Sequence, residues 1–215
     1  STLFPYTTLF RSAVLACLMI ITIRENVIEA LPLGISIALG LGAALIVLLR
    51  RPSGVPAAVL NVLEIVLIPF AAMMMVQQFT LDPLRIYPQL ILVNTGFVFV
   101  FYLFCSFASG SFALGYTIAS ALVLIIGLVN YFVVSFRSSP IVPWDIYSVR
   151  TAASVAGHYT YAINWRCMLS VSAFAFLFAA GRKNTWKIRK LFVRILFALV
   201  CAVLLGGGGY LLQKD

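Results

Sequence analysis

The chain has 215 residues, 63% of them hydrophobic and 10% charged, with a mean hydropathy of +1.08. A soluble domain keeps roughly 25% charged residues to wet its surface, so a water-soluble globule is excluded and the outer surface must face lipid. The formal net charge of +9 could suit nucleic acid, but the cations collect at the ends of apolar spans, most densely in "GRKNTWKIRKLFVR" (Gly181–Arg194). That is the orientation signal of a membrane protein, and no nucleic-acid partner is expected. The same cations can also meet anionic headgroups.

At the N-terminal end, Thr2–Ser12 of "STLFPYTTLFRS" match, codon by codon, the translated frame of a sequencing-library adapter. Residues 1–12 are therefore expected to be an artefact and are set aside from the fold. On that expectation residues 13–215 form the transmembrane domain of a fragment whose native N-terminus is unknown and which can also be cut at Asp215. The apolar run Ala13–Ile23 reads as the tail of a further helix.

A helix needs roughly 20 apolar residues to cross the hydrocarbon core. Leu31–Leu49, Ala57–Phe79, Pro88–Ala108, Phe112–Val134 and Ile188–Leu212 meet that length. Arg166–Ala180 is shorter but uncharged after Arg166. The expected fold is an all-α polytopic bundle of about six transmembrane helices, with a loop over 135–165. Arg50 and Arg51 follow the first span, and the basic run precedes the last one. An even number of spans separates the two groups, so both can be cytoplasmic. The 135–165 loop and the C-terminus are then expected outside the cell.

Within the spans, Glu64 is the conspicuous polar residue, with Asn61 one turn before it and Pro69 beyond. An ionised acid near a helix centre costs about 2.5–3.5 kcal/mol on insertion scales. Two readings are open: a proton or ion site, or a structural hydrogen bond to a neighbour such as Asn94 or Asn130. Transporters usually carry several such groups and broken helices, which favours the hydrogen bond. The run Gly206–Gly209 suits close helix packing or a hinge. The cysteines (Cys17, Cys105, Cys167, Cys201) are far apart, and His158 is the single histidine. No metal-ligand or redox spacing results, and buried thiols are the expectation.

The loop "NYFVVSFRSSPIVPWDIYSVRTAASVAGHY" (Asn130–Tyr159) breaks the apolar pattern. Pro140 and Pro143 hold their preceding residues extended. Asp145 is placed to cap a short helix ending near Gly157. Ile146, Val149, Ala153 and Ala156 share a face of that helix, which would lie on the outer surface with Trp144 and Tyr147 at headgroup level. Arg137, Arg150 and Arg166 could hold a lipid phosphate between them. The other reading is that Arg137 pairs with Asp145 and pins the loop.

This loop resembles the membrane-domain signature of lipoteichoic acid synthase-like phosphoglycerol transferases, of the sulfatase/alkaline phosphatase superfamily. The residues that carry the resemblance are Asn130-Tyr131, Phe136-Arg137-Ser138-Ser139-Pro140 and Pro143-Trp144-Asp145. It implies a bacterial cell-membrane protein whose polytopic domain precedes an extracellular catalytic domain, expected after Asp215. That domain would use a threonine nucleophile and a divalent metal, commonly manganese, to transfer glycerol phosphate from phosphatidylglycerol. The helical domain alone would not be catalytic. Its site residues would be Asn130, Tyr131, Arg137, Pro140, Pro143, Trp144, Asp145 and Arg150, which would bind an anionic lipid phosphate or dock the catalytic domain. The competing expectation is a stand-alone transporter or flippase using Glu64 and Asn61.

Overall fold

The computed structural model describes residues 30–49, 53–80, 87–137 and 164–212. Among these are six α-helices: α1 (Ala30–Leu48), α2 (Val55–Thr80), α3 (Pro88–Ser109), α4 (Phe112–Arg137), α5 (Trp165–Gly181) and α6 (Leu191–Leu212). The described residues are all-helical apart from one isolated antiparallel bridge, Ser111 to Lys187. Five helices are long and apolar enough to cross a bilayer, and the architecture is that of a multi-pass membrane bundle. The apolar run Ala13–Ile23 and the surface helix expected after Asp145 lie outside the described residues.

The shorter helix, α5, has 17 residues. At about 1.5 Å per residue it falls some ångströms short of a ~30 Å hydrocarbon core. Its position makes the shortfall tolerable, because α5 packs on α1, α2 and α4 and is sheathed by protein. Cys167, Phe174, Leu177 and Gly181 are buried along it. The flanks are different. Among the described residues α1 packs on α5 alone, and α6 on α3 alone. Their apolar side chains, such as Leu41, Leu45, Phe192 and Val203, stand exposed for lipid to cover.

The core gathers Ile68, Ala72 and Phe79 of α2, Tyr102 and Cys105 of α3, Tyr116 and Ala119 of α4, and Phe174 of α5. Two devices let this core carry polar atoms. Tyr102 and Ser120 join hydroxyls at 2.8 Å. Pro69 sits inside α2 and cannot donate to the carbonyl four residues back, that of Ile65. Tyr116 Oη donates to that carbonyl at 2.9 Å. A carbonyl left bare in a dry bundle costs free energy, so α4 repairs the bond that α2 cannot make itself.

The α3–α4 turn depends on two glycines. Gly110 ends α3 at φ +74° and donates its N–H to Ser106 O, a left-handed position that costs a residue with a Cβ. A Cβ on Gly115 would lie 2.3 Å from Ser106 Cα, so the two helices touch backbone to backbone there. In α6 the glycine run stays helical. Gly208 admits the Phe97 ring of α3, whose edge would stand 2.7 Å from a Cβ. That is packing, one of the two uses expected for the run.

The helix bounds follow hydropathy within a few residues, with one informative departure. Helix α6 begins at Leu191 rather than Ile188. The backbone of 186–188 is already committed: Phe112 N donates to Trp186 O at 3.1 Å and Ile188 N to Gly110 O at 2.9 Å.

Candidate functional site: the two ends of the bundle

Polar chemistry concentrates at the two ends. One end gathers the C-terminus of α1, the first half of α2, the α3–α4 turn and the α5–α6 connection. The connection, residues 182–190, lies across that end as a strap. Asn184 is buried, and its amide donates to Glu64 Oε2 at 3.1 Å and to Asn61 O at 3.4 Å. Its Oδ1 accepts from Trp186 N at 3.0 Å. Asn61 meets the next residue reciprocally. Its Nδ2 donates to Thr185 Oγ1 at 3.0 Å, while its Oδ1 accepts from Thr185 N at 3.2 Å.

Two cations then close the helix ends. Lys183 Nζ donates to Val47 O at 3.1 Å and Leu49 O at 3.0 Å. Arg194 donates from Nε to Phe107 O at 3.3 Å and from Nη2 to Ala108 O at 2.7 Å. The last carbonyls of a helix lack intrahelical donors and carry the negative end of its dipole. A cation there satisfies both needs for α1 and α3.

Asn61 and Glu64 therefore come together as expected from their i, i+3 spacing. Glu64 accepts from Asn184 of the strap, a neighbour the sequence did not point to. Lys183, Asn184, Thr185 and Arg194 were not legible as site residues. The only signal was an Asn-Thr pair set among cations, which composition reads as a wetted loop.

The opposite end is where α4 ends and α5 begins, on either side of residues 138–163. Tyr131, near the end of α4, is 7% exposed. Its ring lies against Phe79 of α2, centroids 6.1 Å apart, and against Phe132 at 5.1 Å. Tyr131 Oη accepts from Asn164 N at 3.3 Å. Asn164 in turn caps α5, its Oδ1 accepting from Arg166 N at 3.1 Å and Cys167 N at 3.2 Å. One tyrosine thus holds the two feet of the loop side by side. Asn130 beside it is half-buried and engaged within the chain.

Arg137 is the last residue of α4. Pro140, Pro143, Trp144, Asp145 and Arg150 lie outside the described residues. Of the three arginines expected to converge on a phosphate, Arg166 alone has a described side chain. Its guanidinium lies 5.3 Å from the Trp165 ring centroid, a cation–π placement. Cys105, Cys167 and Cys201 are free and buried. Among the described residues no group of three His, Cys, Asp or Glu is placed to hold a metal ion. No family model, curated protein or solved structure matches the chain.

Proposed function

We propose that this chain is the membrane-anchor domain of a bacterial cell-envelope phosphoglycerol transferase of the lipoteichoic acid synthase-like type. The observation that carries the reading is the string Asn130–Tyr159, with its Asn-Tyr, Phe-Arg-Ser-Ser-Pro and Pro-Trp-Asp elements. The geometry of its foot supports it. The Tyr131–Asn164 hydrogen bond gives the string a fixed base on the bundle, at the end away from the strap. A cytoplasmic strap, by the bias of Lys and Arg, turns the string and the C-terminal end of α6 outward. A catalytic domain following α6 would then emerge on the side where the string lies.

In this reading Arg137, Trp144, Asp145 and Arg150 orient the phosphate of a lipid such as phosphatidylglycerol, or dock the catalytic domain over it. Pro140 and Pro143 keep the segment extended between them. The manganese-type metal belongs to the catalytic domain. The described helices offer no ligand cluster for it, and no chemical step is assigned to them.

The test is made in the chain extended through its own reading frame. Arg137→Ala and Asp145→Ala should each lower glycerol-phosphate polymer synthesis while membrane expression stays unchanged. The double swap Arg137→Glu/Asp145→Arg separates two roles: rescue indicates an ion pair that shapes the loop. Full synthesis in both single variants would remove the loop from the reaction. A lipid-transport activity with no polymer synthesis would replace the proposal with the transporter reading.

A further inference from the structure

The strap also has an outward face. Of its cations, Lys183 and the nearby Arg194 are spent on the carbonyls of α1 and α3. Arg182, Lys187, Arg189 and Lys190 are exposed. Glu64 is the single acid among the described residues, and it is engaged by Asn184. Among the described residues no ion pair joins these four cations to a carboxylate.

Their placement is fixed rather than loose. The backbone on either side of Lys187 is paired to the α3–α4 turn through Trp186 O and Ile188 N, and Asn184 and Thr185 tie the strap to α2. Ile188 packs inward against the core. Lys187 and Arg189 flank that inward residue and are both exposed, which sets them together on the outward side. Immediately beyond, α6 opens with Leu191 and Phe192, 63% and 76% exposed, and Trp186 within the strap is 40% exposed. Cations next in the chain to lipid-facing apolar residues, with an exposed tryptophan among them, stand at the level of the headgroups.

We propose that the outward face of the strap is a binding site for the phosphate of anionic phospholipids, with Lys187 and Arg189 as the paired contacts and Arg182 and Lys190 flanking them. A basic residue near a charged leaflet strengthens binding about fivefold, and a paired, pre-positioned set concentrates that attraction at one place. The inference concerns the end opposite the 138–163 loop and does not rest on the enzyme-anchor reading.

The experiment is native mass spectrometry of the whole chain in detergent. It is titrated with phosphatidylglycerol, with phosphatidylcholine of the same acyl chains, and with inorganic phosphate. Phosphatidylglycerol should be retained over phosphatidylcholine, and Lys187→Gln/Arg189→Gln should weaken that retention roughly tenfold or more. Lys183→Gln should lower stability yet leave the preference intact, which separates lipid binding from helix capping. Should the double variant fold poorly, each single variant should still show a partial loss. Equal retention of the two lipids, or an unchanged preference in the folded variants, would overturn the proposal. Displacement of the lipid by equimolar inorganic phosphate would also overturn it, in favour of a free-anion site.

Discussion

The two ends of the bundle are held, among the described residues, by different kinds of contact. At the strap end, one buried asparagine, a reciprocal Asn–Thr pair, two cationic caps and a backbone bridge bind α1, α2, α3, α5 and α6 to one another. At the other end, Tyr131 Oη accepts from Asn164 N at 3.3 Å while its ring packs on Phe79. An end fixed by many weak bonds keeps its geometry when any one is lost. The strap end is closed by bonds between distant helices, whereas the described contacts at the other end join the last turns of α4 to the cap of α5.

The largest expected effect sits at the strap end, where the helices touch. Gly115→Leu drives a side chain into Ser106 backbone and should cost about 3 kcal/mol or more, seen as loss of folded protein in detergent. Next comes a matched pair of asparagines. Asn184→Ala removes bonds to α2 and to Trp186 and should cost about 2–3 kcal/mol in unfolding titrations with a denaturing detergent. Asn164→Ala removes a helix cap and should cost about 1 kcal/mol. A larger loss for Asn164 than for Asn184 would break the comparison.

A smaller effect tests the repair of α2. Tyr116→Phe bares the Ile65 carbonyl and should cost about 1 kcal/mol. In a Pro69→Ala background the helix regains its own donor, so the same change should then cost almost nothing. An equal cost in both backgrounds would mean that the Tyr116 hydroxyl does not serve that carbonyl. Smallest is Tyr131→Phe, which loses a 3.3 Å bond but keeps the packed ring and should cost about 0.5 kcal/mol.

The helices were legible because lipid imposes a length and a composition on every span. The bounds of α2, α3, α4 and α5 differ from the hydropathy reading by three residues or fewer. The strap was not legible, because its order comes from bonds between residues more than 120 positions apart, such as Asn61 and Thr185. Pro69 announced a broken helix bond in the sequence, but nothing local pointed to Tyr116 as the donor. For the loop the relation reverses. Its residues carry the most specific sequence signal, while of its site residues only Asn130 and Tyr131 have described side chains.

The central claim is that the strap and the 138–163 loop lie on opposite faces of the membrane. Its most direct test is labelling by a membrane-impermeant maleimide in intact cells, using Ser154→Cys for the loop and Lys190→Cys for the strap in a Cys17→Ser background. Cys105, Cys167 and Cys201 are buried and serve as the unlabelled baseline. The account predicts that Ser154→Cys labels in intact cells and Lys190→Cys only after permeabilisation. Labelling of both positions from the same side would contradict it.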